Sequence, residues 1–428
     1  MTKLFKHYPI QILVCLLVCT PIYADDTFSV NNMTFSLINT KEVRIEKIDV
    51  NQNGEVIFPS EVTYQGRTFK VRSIGGLNGL FYDSKKVLSI VIPPSITGCE
   101  STSYFNHCTQ FLGCTNLKKI FIEDSDDYIY FGMSDDRQKA LFEKCPLEEV
   151  YIGRNIKYYT YNDPTWIEMK LSRAYASPFK EIKTLKKVIM SSHVTALEKG
   201  LFYKCEKLEE VQLSNNIREI PVLAFYGCKS LSRINFPNNL LSINHCAFVN
   251  SAISSFTHNS VETIGREVFD GCEKLTFVSI NDKIKIINFS TFRNCYNLSK
   301  VIIGKSVEEI RSNAFENSSI KEIESKIIDP SKCKITTGRD QEAFSLSTFT
   351  FATLYVPYGT KNKYLSADVW KNFVDIQESI YNKIEKVNED SRKAKGYYNT
   401  NGYLSPYPFN GVNIKTMKDG SMRKILVK

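Results

Sequence analysis

Four histidines follow the N-terminal leader, His107, His193, His245 and His258, and none stands at metal-ligand spacing from another histidine or from a cysteine. A hydrolytic serine would need a Gly-x-Ser-x-Gly elbow, a nucleotide site a phosphate-cradling glycine loop, and a thiol nucleophile a histidine partner; the chain carries none of them. His193 and His258 fall in turns just after predicted strands, where a solvated or capping role suffices. Asp124, Asp126, Asp127, Asp135 and Asp136 supply carboxylates for Ca²⁺ without the alternating register or the closing glutamate of a binding loop, so they read as a solvated loop. No catalytic residue, metal site or cofactor is assigned, and the chain is not read as an enzyme. Its distinctive chemistry is aromatic contact. Tyr128, Tyr130 and Phe131 cluster in one segment, and Tyr158, Tyr159, Tyr161 and Trp166 in a second. Tyr and Trp offer large contact areas at low entropic cost.

The elements that hold these residues are repetitive. Phe202, Phe225, Phe248, Phe269, Phe292 and Phe315 are separated by 23, 23, 21, 23 and 23 residues. From Phe225 as origin, Cys228, Leu231, Ile234, Phe236, Leu240 and Ile243 occupy fixed offsets, and the frames opened by Phe202, Phe269 and Phe292 repeat them. Phe81, Phe111, Phe142 and Phe179 open related frames at longer intervals, with extra residues at 98–110, 123–141 and 154–178. Each Leu-x-x-Val-x-Leu stretch alternates over its last three positions, the pattern of a short strand with one buried face. One such coil cannot bury its own apolar residues, whereas a stack of coils can. The spacing therefore predicts a mainly β, right-handed repeat solenoid of about 23-residue coils with short helical corners. Its phenyl rings form a ladder through Phe202, Phe225, Phe248, Phe269, Phe292 and Phe315.

Cys205, Cys228, Cys272 and Cys295 share one offset beside that ladder, with Ser251 and Ser318 standing at equivalent places. Two readings are open: buried thiols acting as small apolar groups, or disulfides between neighbouring coils. Cys99, Cys108, Cys246 and Cys333 lie off the frame, and Cys99–Cys108 is a possible bridge.

Positions flanking the central strand residue point to the open sheet face. One column, Lys119, Glu149, Lys187, Glu210 and Arg233, alternates in sign and reads as self-neutralising. Its partner column begins Val91, Phe121, Tyr151, Ile189, apolar where no core requires it. Together with Tyr128, Tyr130, Tyr158, Tyr159, Tyr161 and Trp166, the residues Phe121, Tyr151 and Ile189 are the candidate ligand contacts. The alternative is that the insertions fold back and cover the face.

The termini read as addresses. Met1–Ala24 has Lys3 and Lys6, the apolar run Ile10–Cys19 and a small residue before Asp25-Asp26, the layout of a secretory signal. Cleavage after Ala24 and a lipid anchor on Cys19 are both open. The apolar run is too short to span a bilayer, and no later stretch reaches 18 apolar residues. The formal charge of +9 is spread thinly, so a nucleic-acid footprint is not indicated. Five segments are expected: signal peptide 1–24, N-terminal β cap 25–73, repeat array 74–378, charged linker 379–395, and a C-terminal β hairpin 396–428 turning at Asp419-Gly420.

The frame Phe-x-x-Cys-x-x-Leu-x-x-Val-x-Leu-x-x-x-Val-x-x-Ile over about residues 74–323 resembles the BspA-type leucine-rich repeats of bacterial surface proteins. Flanking segments agree: Val56–Pro59, Tyr64-Gln65-Gly66 and Ser73-Ile74-Gly75 before the array, Leu354–Pro357 and Trp370-x-x-Phe373 after it. Asp126 departs from the frame at an offset that is normally apolar. The tail, Tyr397-Tyr398-Asn399 through Lys424–Lys428, resembles the sorting tails of type IX secretion cargo in Bacteroidetes; a hairpin docked on the array is the alternative. The resemblance implies a secreted or outer-surface protein that binds a protein or glycan ligand and mediates adhesion. A scaffolding role in the envelope without a host ligand is the second reading. Neither reading sets an oligomeric state.

Overall fold

Two asparagines, Asn31 and Asn32, adopt left-handed backbone (φ 49° and 63°), as do Gln65 and Gly66 (φ 49° and 76°). Two successive left-handed residues make the tight turn whose twist matches paired antiparallel strands. The first turn joins Thr27–Val30 to Met33–Leu37, the second Glu61–Tyr64 to Arg67–Ile74. The computed structural model describes residues 27–49, 54–75, 80–81, 84–99, 110–111, 113–131, 141–142, 144–158, 177–336 and 342–379, with backbone strands at 397–399, 404–405, 411–416 and 422–427. The chain divides into two compact units, Met1–Ala252 and Ile253–Lys428.

In the first unit the hairpins feed a companion sheet. It runs through Glu42–Ile48 and Arg67–Ile74 to Gly98–Cys99, Ile129–Phe131 and Ile156–Tyr158, and is parallel from Glu42–Ile48 onward. A second, open-faced sheet is parallel throughout. Its strands are Gly54–Ile57, Val87–Ile92, Lys119–Ile122, Glu149–Ile152, Lys187–Met190, Glu210–Gln212 and Arg233–Asn235. Where coils are regular, partners lie 23 residues apart, as in Val211 beside Ile234.

The second unit has its own parallel sheet, Ser255–Thr257, Phe277–Ser279, Lys300–Ile303, Glu322–Ser325, Thr353–Val356 and Asp375–Glu378. A narrower ladder runs through Ile286–Ile287, Glu309–Ile310 and Lys334–Ile335. Two short α-helices, Leu346–Phe351 and Lys361–Ser366, stand near the end of this sheet. Beyond them, Gly411–Thr416 pairs antiparallel with Met422–Val427 in a four-stranded sheet.

The core of the first unit is a stack of phenyl rings. Phe81, Phe111, Phe142, Phe179, Phe202, Phe225 and Phe248 follow one another at centroid spacings of 5.1–5.8 Å, with ring planes nearly parallel in most pairs. Phe58 begins the stack, 6.1 Å from Phe81. In the second unit Phe269, Phe292, Phe315 and Phe344 stack at 5.1–5.6 Å. Ring spacing slightly above the ~4.8 Å strand separation is what one buried ring per strand layer produces. The frame does not reveal Phe58 and Phe344: Phe58 stands 23 residues before Phe81 but is followed by Glu61, Tyr64 and Arg67 at the offsets of Cys, Leu and Val, and Phe344 follows Phe315 after an irregular 29 residues.

The cysteines beside the rings are thiols and not disulfides, and five of them donate to the carbonyl of the phenylalanine one coil earlier. Sγ of Cys114, Cys145, Cys205, Cys228 and Cys295 lies 2.9–3.2 Å from the oxygen of Phe81, Phe111, Phe179, Phe202 and Phe269. Burial pushes the Cys205 thiol up to about 12, and those of Cys228 and Cys295 also rise well above the ordinary value. Inter-coil disulfides are absent among the described cysteines; Cys99 is a buried thiol, and Cys108 lies outside the described residues.

The ladder corners are turns, which corrects the expectation of helical corners. From Phe111 to Phe315, the residue two after each ladder phenylalanine is left-handed whether it is Gly113, Lys144, Glu181, Lys204, Gly227, Asn250, Gly271, Asn294 or Asn317. The residue two before it is left-handed at Gly200, Leu223, Cys246, Glu267, Ser290 and Asn313. A left-handed residue every four positions stops helix propagation. Cys246, off the frame in sequence, takes this second corner position and packs with Tyr203, Leu223 and Val249.

Candidate functional site

Alternation along the open-faced strands buries Ile120, Val150 and Val188 and turns their neighbours outward. The outward row aligns in register as Ile57, Val91, Phe121, Tyr151, Ile189, Gln212 and Asn235. Five consecutive apolar side chains thus cross the sheet. Ile57 is 60% and Phe121 42% exposed, and Val91, Tyr151 and Ile189 are half-buried. The Phe121 and Tyr151 rings stack with centroids 4.2 Å apart and planes 6° apart.

A charged row runs alongside. Lys119 pairs with Glu149 at 3.0 Å, Lys187 with Glu210 at 3.4 Å, and Arg233 with Glu210 at 3.2 Å. One step outside it, Glu148 bridges Lys118 and Lys186, and its hydrogen bonds to Lys186 and Lys118 hold its carboxyl below the usual range. The row neutralises itself and borders the apolar stripe on one side.

On the other side lies a polar clip. Tyr151 donates to Asp124 Oδ1 at 2.8 Å, and His193 Nδ1 stands 3.6 Å from Asp124 Oδ2 and 3.5 Å from Ser191 Oγ. Burial, then the hydrogen bond and charge of Asp124, raises the Tyr151 phenol, so it remains a donor at neutral pH. Ser, His and Asp meet here without triad geometry: both partners approach the same imidazole nitrogen, whereas proton relay needs opposite nitrogens. Ser191 Oγ donates instead to the Gly153 carbonyl at 3.1 Å. Gly153 lets the clip close, because a Cβ there would run into the backbone nitrogen of Asp124.

Arg154, which the sequence pattern does not single out, fixes this edge from below. It is fully buried and donates to the carbonyls of Pro93 (2.8 Å) and Pro94 (2.9 Å), two coils earlier. Burial lowers its guanidinium to about 10, against the attraction of Asp127 and Glu123, so it is charged at pH 7.

The aromatic candidates do not form one surface. Ile129–Phe131, inside an expected insertion, is a strand of the companion sheet: Phe131 is buried there, and Tyr128 and Tyr130 lie with it, away from the Phe121–Tyr151 row. Tyr158 belongs to the next companion strand, is buried, and donates to the Lys199 carbonyl at 2.9 Å; it is a core residue and not an exposed contact. Tyr159, Tyr161 and Trp166 lie outside the described residues. Of the acidic cluster, Asp124, Asp126 and Asp127 are described, and no group of His, Cys, Asp or Glu among the described residues is arranged to hold a metal.

A family model, the BspA type leucine-rich repeat region in six copies, matches residues 165–276 and 262–391. The chain belongs to this family. Among solved structures, this BspA-type chain is similar to a leucine-rich repeat protein from Bacteroides ovatus ATCC 8483, at 19% identity over 82% of this chain and 99% of that one, with a TM-score of 0.43. A leucine rich cell surface protein from Faecalibacterium prausnitzii A2-165 matches at 16% identity over 82% and 94%, with a TM-score of 0.34. The T. pallidum leucine rich repeat protein matches at 19% over 58% and 90%, with a TM-score of 0.35. No curated protein matches. No helix among the described residues is long and apolar enough to cross a membrane.

Proposed function

We propose that this chain is a secreted or outer-surface binding protein that mediates adhesion, engaging a protein partner through the open-faced sheet of its first unit. The observation that carries the reading is the apolar row Ile57, Val91, Phe121, Tyr151, Ile189, aligned on a solvent-facing sheet and bordered by charges already paired. An apolar core with a polar rim is the anatomy of a protein contact. Phe121 and Tyr151 spend one ring face on each other, and the flanking partners in register are aliphatic. Ring edges and aliphatic groups suit protein side chains better than the flat face of a sugar.

The architecture behind this reading is a right-handed solenoid of about 23-residue coils over 74–378. A β cap at 25–73 precedes it, and a linker at 379–395 leads to a sorting tail at 396–428. The parallel register at 23-residue intervals supports the solenoid, and the antiparallel pairing of Gly411–Thr416 with Met422–Val427 supports the tail. Residues 1–24 act as the export signal and the tail as a type IX address of a Bacteroidetes protein.

The test presents immobilised residues 25–428 to purified extracellular-matrix and serum glycoproteins, with Phe121→Ala and Tyr151→Ala as variants. Binding by the wild type that both variants weaken supports the proposal. Variants that bind as tightly as wild type overturn the site. Self-association with no bound glycoprotein favours the scaffold reading instead. Retention of a chain lacking 396–428 inside the cell supports the tail assignment, and unchanged export removes it.

A further inference from the structure

The companion sheet of the first unit carries a groove of about 480 Å³ lined by Ile38, Arg72, Ser73, Thr97, Gly98, Asp127, Tyr128 and Tyr130. Its size falls within the ~300–1,000 Å³ typical of small-molecule sites. The hollow has a structural cause. Gly98 lies in register between Ser73 on one side and Tyr130 on the other, so at that level the middle strand of three contributes no side chain. Tyr128 stands half-exposed at the rim, with the Lys157 ammonium 4.6 Å from its ring centroid.

We propose that this groove is a second binding site, for a neutral oligosaccharide. Three observations lead there. First, the lining combines two tyrosines with the hydroxyls of Ser73 and Thr97 and the Asp127 carboxylate, which together match a ligand having both a C–H face and many hydroxyl groups. Second, the groove favours neither sign of ionic ligand: Arg72 is held by Glu42 at 3.2 Å, the Asp127 carboxylate in the lining repels an anion, and the Lys157 ammonium over the Tyr128 ring repels a cation. Third, the strands beneath it, Arg67–Ile74, Gly98–Cys99 and Ile129–Phe131, are each paired on both sides, so a peptide cannot add as another strand. The site is separate from the open-faced sheet and does not depend on the reading given to that face.

Saturation-transfer NMR followed by calorimetric titration on residues 25–428 tests the proposal. The probes are neutral di- to tetrasaccharides of hexose, deoxyhexose and N-acetylhexosamine, their sialylated and sulfated counterparts, and uncharged hydrophilic peptides. At least one neutral saccharide binds, Tyr128→Ala weakens it by about tenfold, and Tyr128→Phe, which keeps the ring, holds within about threefold. Circular dichroism checks that each variant remains folded. Binding confined to charged saccharides or to peptides, binding by none of the probes, or affinity unchanged in Tyr128→Ala overturns it.

Discussion

Phe121 and Tyr151 lie ring against ring on the outside of the sheet, 4.2 Å between centroids, while the Tyr151 hydroxyl is anchored to Asp124. Phe81 and Phe111 stack more loosely in the buried ladder, at 5.7 Å. Both pairs join rings on successive coils but differ in environment, and that difference separates contact from support.

The outer pair contributes little to folding. Phe121→Ala is expected to lower unfolding free energy by about 0.5–1.5 kcal/mol, the range of an aromatic pair, since the ring is already partly solvated. Urea titration of Phe121→Ala, Tyr151→Ala and the double variant measures the coupling directly.

The inner ladder carries stability. Phe225→Ala opens a cavity between Phe202 and Phe248 and is expected to cost about 3–5 kcal/mol. A chevron or equilibrium denaturation series with Phe225→Leu as the milder step checks the size dependence.

Thiol chemistry follows from burial. Cys205 has a folded value raised to about 12, so its protonated form is favoured in the native state. That contribution is complete below the unfolded thiol value near 9 and is lost as pH climbs from there through about 12. Stability should therefore fall over this alkaline window, less so in Cys205→Ala measured against its own neutral-pH baseline. Cys228→Ser keeps a donor for the Phe202 carbonyl, whereas Cys228→Ala leaves that oxygen without it. Ellman labelling of the native protein at pH 8 should find these thiols unreactive.

The left-handed corners make opposite predictions for glycine. Gly227 has φ +71°, and a Cβ there would meet Lys204 Cγ at 3.1 Å, so Gly227→Ala is expected to lose about 1–2 kcal/mol. Lys144 holds φ 63° at an exposed site, and Lys144→Gly is expected to gain up to about 1 kcal/mol. Differential scanning calorimetry of the two variants reads both signs.

Sequence alone determined the coil, because each coil rests on near-copies of itself. That condition returns Phe, Leu and Val to the same offsets and leaves a period to read, so the buried positions Leu231, Leu240 and Ile243 are visible without coordinates. Tertiary structure decided what no period encodes. Ile129–Phe131 pairs with Gly98–Cys99, and Arg154 reaches the carbonyls of Pro93 and Pro94, both across irregular stretches whose length the packing does not constrain. Those long-range partners moved Tyr128 and Tyr130 to one sheet, left Phe121 and Tyr151 on another, and buried Tyr158. One expected surface became two because strand pairing is chosen by geometry in space and not by distance along the chain.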